Sequence, residues 1–123
     1  MVGSLKTRQK EVGFQVLVGA AHKLEPSLNA GAVGAILAFA CPAPTACFEI
    51  FAAWKERNEA VAKEKQQRIV EGATKVVVEM TIPGVKYAMD LNGYFGGPVR
   101  LPLLPLTADE KATVEKVMEG IKN

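Results

Sequence analysis

The sequence predicts an α/β fold built on one parallel strand–helix–strand unit and dominated by helix toward its C-terminal side. Three observations predict it. Phe14-Gln15-Val16-Leu17-Val18 and Val33-Gly34-Ala35-Ile36-Leu37-Ala38-Phe39-Ala40 are short runs, apolar at nearly every position. Such runs mark parallel strands buried on both faces. The stretch between them has helical character and the length that a parallel crossover needs. Beyond Thr45, apolar residues recur at spacings of three and four, the period of a helix face. Two strands cannot bury both faces of anything, so the pattern also predicts that most of the sheet lies outside these residues.

Taken in order, Ser4 to Val12 is charged and rich in helix formers, and Gly13 stops it; it reads as the last turns of a helix. The first strand follows at Phe14–Val18. Ala20 to Ala30 reads as a helix ended by Gly31, although Pro26 falls inside it. Either the helix starts near Glu25, with Pro26 in its first turn, or it is kinked. The second strand ends at Phe39-Ala40, and Cys41-Pro42-Ala43-Pro44 is a loop. From Thr45 an amphipathic helix runs to Arg57, with Cys47, Ile50, Phe51 and Trp54 on one stripe.

Asn58 caps the next helix, which starts at Glu59. Its stripe is Ile69, Ala73, Val76, Val77 and Met80, and Lys63 to Arg68 forms a solvated run. Val76-Val77-Val78 also suits a strand, but the stripe passes through it and favours helix. Pro83 and Gly84 interrupt the chain, and Val85 to Leu91 is a further helix stopped by Gly93. Gly96 to Leu106 carries three prolines among leucines; it is extended, wraps the body and buries its leucines. Thr107-Ala108-Asp109-Glu110 is a capping box that opens the last helix, whose buried face is Val114, Val117, Met118 and Ile121.

A chain of 123 residues, 49% hydrophobic and 23% charged, is long enough for one domain with a real core. The net charge of +2 is small and the basic residues are scattered, which argues against nucleic acid as a partner. No uninterrupted apolar run reaches the ~18 residues of a membrane span. Met1 to Lys6 lacks the apolar centre of a secretory signal, so a cytoplasmic location is expected.

Catalytic groups are few. His22, three residues after Gly19, stands near the mouth of the first strand, as a catalytic or, more simply, a solvent-exposed or capping histidine. Cys41 and Cys47 read as buried free thiols rather than a disulfide or metal pair. Gly31-Ala32-Val33-Gly34 precedes a strand and Gly96-Gly97-Pro98 precedes an extended segment, so neither cradles phosphate. Every lysine falls on a presumed helix or helix end, outside the strands where a desolvated amine would become nucleophilic.

Several segments resemble the C-terminal part of the dihydrodipicolinate synthase and N-acetylneuraminate lyase family, the Schiff-base-forming pyruvate lyases and aldolases. They are Lys6-Thr7-Arg8, Phe14 to Gly19, Gly31 to Ala35, Ile82-Pro83-Gly84-Val85-Lys86 and, most of all, Met89-Asp90-Leu91-Asn92-Gly93-Tyr94-Phe95-Gly96-Gly97-Pro98-Val99-Arg100-Leu101-Pro102-Leu103. The 4-hydroxy-2-oxoglutarate aldolase branch is the nearest in wording.

The resemblance implies the end of a (β/α)8 barrel followed by a helical extension. Residues 1–57 would be a partial barrel: the end of helix six, strand seven, helix seven, strand eight and helix eight. Residues 58–123 would be the extension, the whole forming one structural unit. A complete barrel takes about 250 residues. By position, the resemblance implies that Gly19 lines a pyruvate pocket and that Ile36 approaches the bound keto acid. Plainer roles are a tight turn for Gly19 and barrel packing for Ile36.

The family's nucleophile is a lysine on strand six and has no counterpart among these residues; Lys6 falls in the helix-six region. The family's carboxylate-binding Gly-Thr-Thr segment and proton-relaying tyrosine are likewise unmatched. Ala20 stands where the branch often has serine, and Cys41 where relatives carry asparagine. The resemblance thus implies a pocket wall with no catalytic residue, no metal and no cofactor. It also implies a keto-acid substrate (pyruvate) for a full-length parent, in the cytoplasm or, for a eukaryotic relative, mitochondria. The alternative is a non-catalytic module that forms a homo-oligomer or pairs with a complementing barrel half, with no nucleic acid or membrane as partner.

Overall fold

The computed structural model describes residues 2–121, with side chains from Thr7 to Ile121. The surface positions expected of Lys6 and Lys122 fall outside the described side chains. Helix α1 (Val2–Val12) ends at Gly13, whose φ of +75° turns the chain out of the helix. One side chain then ties three segments together. The Oε1 of Gln9 accepts from the Val16 N–H at 2.6 Å, and its Nε2 donates to the Gly31 carbonyl at 2.8 Å.

Strand β1 (Leu17–Val18) pairs in parallel with β2 (Gly34–Ala35), Leu17 opposite Gly34 and Val18 opposite Ala35. The Val33 N–H donates to the Val16 carbonyl and the Ile36 N–H to the Val18 carbonyl, each at 3.0 Å. The strands expected at Phe14–Val18 and Val33–Phe39 are therefore real but much shorter. The reason is physical: among the described residues each has a single neighbour, and a pair alone holds regular pairing only where both backbones bond. The second strand also ends sooner than expected, because Ala38–Ala40 closes into a 3₁₀ turn. Its C-terminal end is near Leu37, not at Phe39-Ala40-Cys41.

The crossover is a 3₁₀ turn at Ala21–Lys23 followed by α2 (Leu24–Asn29). Pro26 sits in the first turn of α2, where its missing N–H has no intrahelical partner to lose. Helix α3 (Pro44–Lys55) buries Cys47 and Ile50 and stacks Phe51 on Trp54 with ring centroids 5.8 Å apart. Asn58 caps α4 (Glu59–Ala73), its Oδ1 accepting from the Val61 N–H at 3.3 Å.

The valine run after α4 is helical, as its stripe required, and takes the wider π form over Thr74–Glu79 with Val76 buried. Helix α5 (Thr81–Leu91) begins before the expected Val85 and runs through both residues read as breakers. Pro83 lies in its first turn and is tolerated there. Gly84 is needed for contact: a Cβ there would run into the Val76 carbonyl. Helix α6 (Ala108–Val117) opens on the expected capping box. The Glu110 N–H donates to the Thr107 Oγ1 at 3.2 Å and the Thr107 N–H to the Glu110 Oε1 at 3.0 Å.

Residues 94–106 form neither helix nor strand, as expected, but they do not bury all their leucines. Leu103 and Leu106 are half-buried, whereas Leu101 and Leu104 are 84% and 68% exposed. Polar contacts with α5 fix the near end of this strap instead. Lys86 Nζ donates to the carbonyls of Gly96 and Pro98 at 3.2 and 2.9 Å, and Asp90 Oδ1 accepts from the Gly96 N–H at 2.7 Å. The backbone of Gly96 lies flush on α5, where a Cβ would overlap the Lys86 carbonyl.

The core is one cluster drawn from both expected portions of the chain. Leu24, Leu28, Phe39 and Ile50 pack with Ile69, Val76, Val114 and Met118. Val18, Ala35 and Leu37 pack against its edge. Leu17 and Ile36, on the other face of the strand pair, are 52% and 75% exposed.

Candidate functional site

The strand register builds the site. Val18 faces Ala35 across the ladder, so the next residues, Gly19 and Ile36, stand side by side at the C-terminal ends of the two strands. Side chains alternate along a strand, which puts Leu17 and Gly19 on one face with Gly34 and Ile36. That is the bare face; Leu17 Cδ2 already lies 3.2 Å from where a Gly34 Cβ would be. Space around Gly19 is open, with nothing within 4 Å of a Cβ built there. The two residues expected to line a pocket are thus brought together, and the surface they share is the backbone of Gly19 beside the apolar side chain of Ile36.

Other candidates lie around this end. His22 is half-buried in the turn that follows β1, at the mouth where its sequence position put it. Both cysteines are free. Cys47 is buried, and burial pushes its thiol up to about 11; it is inert at neutral pH. Cys41 is exposed, contrary to the expectation of two buried thiols, because the Ala38–Ala40 turn carries the chain out before Pro42 returns it to the core.

Beside β2 lies an apolar groove of about 380 Å³, lined by Leu37, Pro44, Cys47, Phe48 and Phe51 among others. Neither strand carries a lysine. The arrangement can shape and desolvate a small ligand but offers no lysine amine from its strands.

Two residues at this end were missed from the sequence. Gln66 was placed in a solvated run; it is 5% exposed, and both ends of its amide are engaged. Its Nε2 donates to the Ala21 carbonyl at 3.0 Å and its Oε1 accepts from the Glu25 N–H at 2.7 Å. The signal was present: Ala62, Gln66, Ile69 and Ala73 share one stripe of α4, and all are buried. Asn92, just past α5, donates from Nδ2 to the carbonyls of Pro42 at 2.8 Å and Ile121 at 2.9 Å.

Compared with known proteins, residues 2–121 match the model of the dihydrodipicolinate synthetase family. A 4-hydroxy-tetrahydrodipicolinate synthase of Acidiphilium cryptum is 34% identical over 108 residues, covering 88% of this chain and 37% of that one. A crystal structure of dihydrodipicolinate synthase from Thermotoga maritima aligns with a TM-score of 0.81 at 27% identity, over 93% of this chain and 39% of that one. YagE, an E. coli K12 prophage protein of the dihydrodipicolinic acid synthase family solved in complex with pyruvate, shares the fold. It has a TM-score of 0.79 at 23% identity, over 98% of this chain and 43% of that one. The chain therefore spans 37% of the length of the Acidiphilium relative, and about as much of each structural neighbour. The observed fold is that of part of a (β/α)8 barrel with a helical extension.

Proposed function

We propose a function from one premise: the chain belongs to the dihydrodipicolinate synthetase family. Residues 1–57 act as the closing part of a barrel and residues 58–123 as its helical extension. Together they supply one wall of the pocket of a lysine Schiff-base aldolase or lyase that takes a keto acid such as pyruvate. Gly19 and Ile36 form that wall, and the nucleophile comes from residues other than these. The carrying observation is the register that sets Gly19 beside Ile36 on the bare face at the C-terminal ends of both strands, the end at which barrel enzymes build their sites. Within the family, the segment Met89 to Leu103 favours the 4-hydroxy-2-oxoglutarate aldolase branch.

Imine formation joins a neutral amine to the keto carbonyl and expels water, so it needs a desolvated lysine. Among the described residues, Lys86, half-buried on α5, commits its Nζ to two backbone carbonyls, and Lys65 and Lys75 pair with Glu49 and Glu79. Incubation with pyruvate, borohydride reduction and mass measurement test this. The isolated chain should keep its mass; a pyruvate-sized adduct would overturn the reading.

A second reading follows from the bare face itself. Leu17 and Ile36 are exposed on it, Phe14 and Val33 are exposed just before the two strands, and exposed apolar surface of this kind seeks cover. The module would self-associate or pair with a chain that carries the rest of a barrel. Light scattering decides: a stable, monodisperse monomer at working concentration would sink it.

A further inference from the structure

We propose that Gln66 and Asn92 are positioning residues, two amides through which the helical extension fixes the loops that follow β1 and β2. The inference rests on the reading of Gly19 and Ile36 as a pocket wall. Each amide reaches back from the extension to the loop after one strand. Gln66 holds the Ala21 carbonyl and the Glu25 N–H, and so spans the whole Ala21–Lys23 turn that begins just beyond Gly19. Asn92 holds the Pro42 carbonyl, just beyond the Ala38–Ala40 turn that follows Ile36, and joins it to the Ile121 carbonyl at the far end of the extension.

The choice of residue carries the inference. Gln66 occupies a core position on α4 between Ala62 and Ile69, where an apolar side chain would satisfy the packing. A buried amide costs desolvation that its hydrogen bonds do little more than offset. What it adds is direction: a donor and an acceptor at fixed separation set where the turn sits, which apolar contact does not. Gly19 has open space around it and no side chain to seat it. Its location is therefore inherited from its neighbours: the Val18 carbonyl before it, which accepts from the Ile36 N–H, and the turn after it, closed by the Lys23 N–H on the Ala20 carbonyl and tied to α4 by Gln66 at the Ala21 carbonyl.

The test uses the full 123-residue chain and backbone NMR. Gln66→Met keeps the length and apolar contacts of the side chain and removes both hydrogen bonds. Amide hydrogen exchange should quicken about tenfold at Ala21–Glu25, as expected for losing roughly one hydrogen bond's worth of local protection. The Gly19 and His22 amide signals should shift, and exchange at Val114 in α6 should change less than twofold. Asn92→Ala should do the same at Ala40–Ala43 and leave Ala21–Glu25 alone.

Exchange that quickens equally in α6 would show a merely structural role and overturn the proposal. So would unchanged exchange at the two loops. Borohydride trapping with pyruvate tests the pocket reading separately, while the exchange pattern alone decides whether the amides fix the loops.

Discussion

Val18, Ala35 and Leu37 turn toward the helices and pack on the core, whereas Leu17 and Ile36, their immediate neighbours in sequence, lie open on the opposite face. Both sets are aliphatic, and both sit on or just past the same two short strands. The difference lies in what stands opposite. Helices α2 and α3 join α4, α5 and α6 in one closed core that holds Leu24, Ile50, Ile69, Val76 and Val114, and one face of the strand pair packs against its edge. Nothing among the described residues covers the other face. A run of apolar residues therefore states a capacity for burial, and the partner decides whether that capacity is used.

The largest effect should come from breaking the covered side. Ile69 is 1% exposed at the centre of the cluster, and Ile69→Ala should cost about 3–4 kcal/mol of unfolding free energy, from lost transfer energy and the cavity left behind. Ile36→Ala, the same chemical change on the bare face, should move stability by no more than ~0.5 kcal/mol. Urea unfolding of both variants measures the contrast. A large cost for Ile36→Ala would mean that the bare face is already covered in solution, and its dependence on protein concentration would tell self-association from an internal rearrangement.

What was legible in the sequence follows the same division. Helices whose partners lie within the chain could be placed from periodicity and caps: Asn58 and Thr107 both cap as expected, and the Ile69–Val76 stripe survives a π turn that no propensity signals. Strand existence was legible, but strand length was not, because length depends on neighbours that these residues do not supply. Pro83 and Gly84 misled for another reason. Local rules treat them as breakers, yet Pro83 fits a first turn and Gly84 answers to the Val76 carbonyl in the π turn just before α5. Leucine content predicts burial for Leu101 and Leu104, yet both are exposed, and their strap is held by Lys86 and Asp90 instead. At the candidate site, Gly19 and Ile36 could be named by resemblance. Gln66 was hidden by its charged neighbours, although its stripe position pointed inward.

The two cysteines sharpen the comparison at intermediate cost. Iodoacetamide should alkylate Cys41 in the native protein and reach Cys47 only on unfolding. Burial raises the Cys47 thiol from 9.0 to about 11, so the folded state holds its proton longer than the unfolded state does. Its contribution is present in full below pH 9.0 and is lost as pH rises toward about 11. Stability measured across that window should fall, and Cys47→Ala should flatten the slope. An unchanged slope would mean that water reaches the thiol and that α3 is less firmly seated than Ile50 suggests.

The smallest effect tests whether charge helps to join the two portions of the chain. Lys65 on α4 and Glu49 on α3 meet at 2.8 Å, with side chains 32% and 47% exposed. They bridge the expected barrel portion and the extension, the seam that Phe39, Ile50 and Ile69 already close with apolar contact. An exposed pair of this kind is worth ~0.2–1 kcal/mol, since solvent screens the attraction and ordering two long side chains opposes it. A double-mutant cycle of Lys65→Ala and Glu49→Ala should return a coupling in that range. It should shrink further as added salt shortens the screening length from about 8 Å to about 3 Å. Coupling well above 1 kcal/mol, or coupling indifferent to salt, would assign the seam to the ion pair. The covered face would then owe its closure to charge as much as to packing, and the contrast with the bare face would rest on more than apolar contact.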